Sequence, residues 1–164
     1  MKTFSLLLIA SLFFFGCSSK PQTTQNIDPK LIVGKDIATL SFNDQFGTPH
    51  KIDTTTQTLI VAFSKDNAHL CNAYFAEQNP TYLANKNAVF LADISQVPSL
   101  IRSMFVEPGL KDLTHRVLLI EDDATSADFK TEANAESIVI AKLDNGVVTN
   151  VTLITTKEAL ADAI

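Results

Sequence analysis

The chain has 164 residues, carries a net charge of −5 at pH 7 and contains no tryptophan. Its length suits a single domain, which at this size buries roughly 68–70% of the surface that the unfolded chain exposes, so a core can form without disulfides or metals. The acidic balance argues against nucleic acid as a partner, because nucleic-acid binding requires a basic surface.

The first residues have the pattern of an export signal. Lys2 precedes an apolar run over residues 4–15, which is too short to span a bilayer and has the length of a signal-peptide core. Gly16 and Cys17 follow, and a small residue directly before a cysteine resembles the bacterial lipobox. The resemblance implies that residues 1–16 are a signal peptide, and that lipid on Cys17 anchors the protein to a membrane of the bacterial cell envelope, facing the periplasm. The alternative is an ordinary secreted or membrane-anchored N-terminus with an incidental cysteine.

A polar segment separates this signal from the folded part of the chain. Residues 18–28 contain one proline and no apolar periodicity, which is typical of a flexible tether. We therefore expect the lipidated cysteine and tether to occupy residues 17–30 and the domain to occupy residues 31–164. With Cys17 lipidated, Cys71 would be the one free cysteine of the mature protein, so no disulfide could form within it.

The first half of the domain predicts a hairpin, a strand and a helix. Residues 37–52 alternate between apolar and polar around a turn, and Pro49 favours an edge position for the returning strand. Residues 59–63 form an apolar run typical of a buried central strand. Asp66 or Asn67 would then cap the helix that carries Cys71.

Two further buried strands are predicted over residues 88–93 and 117–121, with a helix between them. This helix would end at Pro108-Gly109. Its apolar residues recur at helical spacing, so we expect them to pack on the sheet: Val97, Leu100, Ile101, Met104 and Phe105.

The chain closes with a loop or brief helix over residues 124–136 and then a second hairpin. Strands over residues 138–143 and 147–154 are joined by Asp144-Asn145-Gly146, a strong hairpin signal. Thr155 and Glu158 have capping-box spacing for a terminal helix. Alternating βαβ units imply an α/β fold whose parallel strands form one mixed sheet, with this hairpin as an antiparallel edge.

Several segments resemble the thioredoxin-like superfamily, and within it the peroxiredoxin or thiol-specific-antioxidant branch. LSFNDQFGTPHKID resembles the first hairpin of that branch, and LDNGVV resembles its last. FSKDNAHLC places Cys71 at the position of the peroxidatic cysteine, and RVLLIED places Arg116 where an arginine assists that cysteine. ADISQVPSLI resembles small secreted thioredoxin-like proteins of unsettled function. The resemblance implies a three-layer thioredoxin-like fold over residues 31–164.

The chain departs from these families at the residues that carry their chemistry. Ala68 and His69 stand near Cys71, where peroxiredoxins have a proline and a hydroxyl residue, and the Cys-x-x-Cys pair of thioredoxins is missing. No proline follows Pro108, so the cis-proline that thioredoxins place beside the redox pair is also missing. Cys71 would lie beyond the first helical turn, where the helix dipole lowers a thiol pKa only weakly, and a lone cysteine is often a small buried hydrophobe.

No cofactor or metal is expected. The five glycines are widely scattered, so no phosphate-binding loop can be drawn from them. His69 and Cys71 would point about 200° apart on a helix, and a metal site would need His50 or His115 brought in by the fold. A weaker Mg²⁺ alternative rests on acids at the predicted ends of strands: Asp66, Asp93, Glu121, Asp122 and Asp123.

The sequence therefore favours an envelope lipoprotein whose thioredoxin-like domain lacks dithiol chemistry and binds or scaffolds an envelope protein. The alternative is a one-cysteine, peroxiredoxin-like thiol oxidoreductase, with Cys71 as nucleophile and Arg116 stabilising its thiolate. Exposure of Cys71 distinguishes the two hypotheses.

Overall fold

Seven strands form one mixed sheet in the computed structural model, which describes residues 27–164. The predictions for the signal peptide and for Cys17 lie outside the described residues. The strands are β1 Ser41–Asp44, β2 Pro49–Lys51, β3 Thr58–Ala62, β4 Ala88–Asp93, β5 Leu118–Ile120, β6 Ile138–Asp144 and β7 Val147–Ile154. Their order across the sheet is β2-β1-β5-β4-β3-β6-β7, so the five strands predicted to share one sheet do so.

The helices connect these strands and close the chain. They are α1 Lys65–Ala76, α2 Tyr82–Asn85, α3 Ser99–Ile101, α4 Glu107–Lys111, α5 Asp123–Phe129 and α6 Lys157–Ala163. A π-helical stretch, Arg102–Val106, joins α3 to α4, and we call the continuous segment 99–111 the π-bulged helix. Within residues 27–164, no helix combines the length and apolar character needed to cross a membrane.

β3 is an interior strand of the sheet, next to the central strand β4, and every one of its residues is apolar or small enough to be covered on both faces. All five residues of the strand are buried. It pairs in parallel with β4 and antiparallel with β6. Parallel pairing requires a crossover, which α1 and α2 supply between β3 and β4.

Both predicted hairpins are present. β2 is the edge strand of the sheet, as the proline at its first residue indicated. The β6–β7 turn has positive φ at Asn145 (49°) and Gly146 (84°), the backbone that a two-residue hairpin loop requires. Gly146 also lies against Ala38, whose Cβ would be 2.3 Å from a Cβ at residue 146.

Helices cover both faces of the sheet, which gives the three layers expected of the thioredoxin-like fold. One core lies under α1, α2 and α6 and includes Cys71, Phe75, Phe90 and Leu160. The other core lies on the opposite face, where Phe129 of α5 packs against the sheet. The terminal helix α6 begins after Thr156, whose side chain accepts from the Ala159 N–H at 3.2 Å, one residue later than the predicted capping box.

The chain already contacts α5 at Asp28, inside the segment predicted to be a tether. The Asp28 N–H donates to Asp128 Oδ1 at 2.9 Å, and the Lys30 N–H donates to the Asp128 carbonyl at 2.9 Å. Hydrogen bonds from Lys30 and Lys35 lower the pKa of Asp28 to about 2. Residues 28–30 therefore lie beside the C-terminal end of α5.

Candidate functional site

The strand-to-helix turn after β3 is where a thioredoxin-like fold would place its reactive cysteine, and here it carries none. The N-cap of α1 is Ser64, two residues before the predicted Asp66, and its hydroxyl accepts from the Asn67 N–H at 3.3 Å. Cys71 is thus the seventh residue after the cap. The field of the helix dipole falls off within the first turn, so it does not lower the pKa of this thiol.

Cys71 is completely buried, with none of its surface exposed. It packs in the core that contains Phe75 and Phe90. Burial alone raises the pKa of Cys71 from an ordinary value of 9.0 to about 12, because an apolar environment disfavours the charged thiolate. This shift is opposite in direction to the lowered pKa of catalytic cysteines, whose thiolates are stabilised by their surroundings. His69, two residues earlier on α1, is exposed, as their angular separation on a helix predicted.

Arg116 lies elsewhere, at the exposed mouth of a cleft of about 840 Å³ on the amino-terminal side of β4 and β5. The cleft is lined by β2, α2 and the segment before β5, and Cys71 is not among its lining residues. No charged group contributes to the pKa of Cys71. The structure therefore does not bring Arg116 into the role of a thiolate partner.

His115, next to Arg116, is a buried polar residue whose position the sequence did not indicate. It is 4% exposed, its Nε2 lies 3.0 Å from Asn72 Oδ1, and its ring packs against Phe75 and Phe90. Burial lowers its pKa, so it is neutral at physiological pH. Its immediate neighbours Thr114 and Arg116 are exposed, and no apolar periodicity marks the position.

Three of the five acidic residues considered for Mg²⁺ are engaged in local structure at the carboxyl edge of the sheet. Asp93 Oδ2 accepts from the Ser126 hydroxyl at 2.6 Å. Asp122 caps α5 by accepting from the Thr125 N–H at 2.8 Å, and Asp123 accepts from Gln96 at 2.6 Å. Across the described part of the chain, no three His, Cys, Asp or Glu side chains are grouped so that they could hold a metal ion.

The π-bulged helix corrects one prediction outright. Four of the five apolar side chains expected to pack on the sheet face outward, with exposed fractions of 66% for Leu100, 44% for Ile101, 58% for Met104 and 65% for Phe105. The residues that pack against the core are Val97, Val106, Leu110 and Leu113. The helix also continues past Pro108 to Lys111, and Pro108 stands in the first turn of α4, where the missing N–H of a proline is tolerated.

Arg102 explains why the side of the π-bulged helix that carries Val106 and Leu110 faces the sheet. Its Nη2 lies 3.0 Å from the carbonyl oxygen of Ile94 and 3.1 Å from that of Glu121, with longer contacts to Ser95 at 3.3 Å and Val97 at 3.4 Å. Those carbonyls belong to the ends of β4 and β5 and to the loop that leads into the helix. A single side chain therefore joins the π-bulged helix to the carboxyl edge of the sheet.

Comparison with solved structures identifies the fold. StoA from Bacillus subtilis is similar with a TM-score of 0.53 at 11% identity, covering 77% of this chain and 96% of that one. A proposed thiol:disulfide interchange protein DsbE from Chlorobium tepidum matches with a TM-score of 0.51 at 17% identity, over 81% and 95% of the two chains. A proposed protein disulfide isomerase from Bacteroides thetaiotaomicron also has a TM-score of 0.51, at 13% identity, over 83% and 87%.

These likenesses show that the domain has the thioredoxin-like fold. At such low identity they define the architecture, while function depends on the residues at the site. No family model matches the chain, and no curated protein matches it.

Proposed function

We propose that this thioredoxin-like domain acts by binding a partner and carries out no thiol–disulfide or peroxide chemistry of its own. The observation that carries the proposal is the state of Cys71, which is fully buried and whose pKa is raised to about 12. The thiolate is the nucleophile in both chemistries. Below its pKa, a thiol loses a factor of ten in its thiolate fraction for each unit by which the pKa rises. At pH 7 the thiolate fraction of Cys71 is therefore about one thousandth of that of an ordinary cysteine.

The surroundings of the thiol support the same proposal. The α1 cap is a serine, and the turn Ser64-Lys65-Asp66-Asn67 offers no second thiol to attack a substrate or to resolve an oxidised Cys71. The other cysteine of the chain, Cys17, precedes the domain by the length of the predicted tether.

The test is the rate of Cys71 alkylation as a function of pH, together with peroxide consumption under a thiol reductant. A Cys17→Ser background leaves Cys71 as the one thiol. The matched control is His69→Cys with Cys71→Ala, which moves the thiol to an exposed position on the same helix. We expect the control to react as an ordinary thiol and Cys71 to react at least about 100-fold more slowly at pH 7.

Two results would overturn the binding proposal in favour of the one-cysteine oxidoreductase. One is a Cys71 thiolate that titrates well below pH 7. The other is peroxide turnover that Cys71→Ser abolishes, in which case Arg116→Ala tests whether that arginine takes part.

We also infer that the protein is anchored in the bacterial cell envelope, facing the periplasm, through lipid on Cys17. The apolar run that ends at Gly16-Cys17 supports this inference. The intact mass of the processed protein should show the loss of residues 1–16 and a diacylglycerol or triacyl addition. A mature N-terminus elsewhere, without lipid, contradicts the inference, and Cys17→Ser should leave the protein unprocessed or soluble.

A further inference from the structure

The outward side of the π-bulged helix is an apolar surface with no partner in the domain. We call Leu100, Ile101, Met104 and Phe105 the outer apolar face. Each of these side chains is 44–66% exposed. Spacings of three and four residues, between positions 100 and 104, 101 and 104, and 101 and 105, place them on one side of the helix. Contiguous exposed apolar patches in soluble domains mark sites of interaction, whereas single exposed apolar residues need no explanation.

The fold itself keeps these side chains exposed, because the opposite side of the same helix is bound to the rest of the domain. Val106 and Leu110 pack against the core, and Arg102 bonds to carbonyls of both neighbouring strand ends. The helix also contains a π-type turn, a feature often found at functional sites. The outer apolar face is therefore presented rigidly at the carboxyl edge of the sheet.

Exposed carboxylates border this face at its N-terminal end. Gln96, in the turn that precedes the helix, donates to Asp123 at 2.6 Å, and Arg102 of the helix contacts the Glu121 carbonyl, which together place the run Glu121-Asp122-Asp123 beside the start of the helix. All three acids are exposed. Hydrogen bonds from the Thr125 backbone and side chain lower the pKa of Asp122, so it is ionised at neutral pH.

In the described part of the chain, few positively charged side chains offset the negative charge of these carboxylates. The Arg102 guanidinium is directed inward to backbone carbonyls. At the far end of the helix, the exposed Lys111 stands between Glu107 and the exposed Asp112 in the sequence. The apolar face thus has an acidic border at its N-terminal end, and the charged residues at its far end bring no net positive charge.

The negative charge of the acidic border indicates which kind of partner can bind the outer apolar face. A second copy of the chain or an anionic bilayer would bring like charge against the acidic border, which opposes association. We propose that the outer apolar face binds a segment of a partner protein whose apolar side chains are flanked by lysine or arginine. This rests on the proposed binding function and names the chemistry of its partner.

The test is photocrosslinking in the cells that make the protein, with the full chain carrying a benzoyl-phenylalanine at position 104. The same group at Asn150, an exposed position on β7, is the control. We expect a protein crosslink from position 104 and none from position 150. The crosslinked segment of the partner should contain apolar residues with lysine or arginine beside them.

Charge variants test the border. Glu121→Gln with Asp123→Asn removes two charges and keeps the side-chain shapes, and it should lower the crosslink yield about threefold or more. Glu132→Gln with Glu136→Gln, two exposed acids elsewhere, should leave the yield unchanged. Asp122 is left intact because it caps α5, and Asp123→Asn alone serves if the double variant folds poorly.

The outcomes are distinct. Crosslinks to a second copy, to lipid alone or to nothing overturn the proposal, as does a yield that the border variant leaves unchanged or a partner segment without basic residues. The thiol assay of Cys71 is independent of this experiment, so a reactive Cys71 would refute the proposed function while leaving this test of the surface intact.

Discussion

Arg102→Met should loosen the π-bulged helix and destabilise the domain. Methionine keeps the unbranched shape of the side chain and its helix propensity, but it removes the guanidinium. The two shortest contacts of Nη2, to the carbonyls of Ile94 at 3.0 Å and Glu121 at 3.1 Å, account for the two hydrogens that this nitrogen can donate. These are the interactions that the variant loses.

The magnitude follows from these two bonds. Hydrogen bonds from a charged donor contribute roughly 1.5–3 kcal/mol each, so their loss would cost about 3–6 kcal/mol. The buried Arg102 Nε has no hydrogen-bond partner. Removing this unpaired polar atom stabilises the folded state by about 1–3 kcal/mol and so offsets part of the loss. With the midpoints of both ranges, we expect the free energy of unfolding to fall by about 2.5 kcal/mol.

Urea denaturation measures this change, and hydrogen exchange locates it. Amides of residues 99–111 should lose more protection than those of β3, because Arg102 joins the helix to strand ends at the edge of the sheet. Lys111→Met removes an exposed charge from the same helix and should change stability by less than about 0.5 kcal/mol. The reasoning is refuted if both variants destabilise the domain equally, or if the loss in Arg102→Met is spread evenly over the sheet.

Gly146→Ala should destabilise the domain by about 2–4 kcal/mol in thermal or urea unfolding, because residue 146 has a φ of 84° and its Cβ would lie 2.3 Å from that of Ala38. Adding Ala38→Gly should recover part of the loss, and no recovery would show that the close approach is not the cause. For Asp44, burial opposes ionisation, but hydrogen bonds from the Thr48 N–H, from His50 and from the Phe46 N–H together hold its pKa below the ordinary value. The carboxylate therefore stabilises the fold above the unfolded pKa of about 3.9, and this contribution is lost as pH falls through the lower folded pKa. Asp44→Asn should lower stability by about 1–2 kcal/mol at pH 7, with the difference from the unmodified protein shrinking below pH 4; a difference independent of pH would contradict this assignment.

The sheet was predictable because its signals are local. The apolar run at residues 59–63 is covered on both faces wherever it lies in the sheet, and Asn145-Gly146 favours positive φ in almost any context. Exact helix starts were less predictable. Ser64, Asp66 and Asn67 are all good capping residues, and the point at which β3 ends selects Ser64.

The orientation of the π-bulged helix could not be read from periodicity. Its sequence offers two apolar sides, one with Leu100 and Phe105 and the other with Val106 and Leu110. The first has the larger side chains and the better helical spacing, so it was predicted to be buried. Arg102 reversed the outcome, because the carbonyls that its guanidinium contacts are brought together only when β4 and β5 lie side by side.

By itself the sequence determined which segments form strands, both hairpins and the absence of a second cysteine near Cys71, because each depends on residue identity or on contacts between near neighbours. Tertiary structure decided whether that cysteine is exposed, where Arg116 lies and which side of the π-bulged helix faces solvent. Those features depend on how segments distant in sequence cover one another. Burial, which sets the pKa of Cys71 and frees the outer apolar face, is a property of that packing.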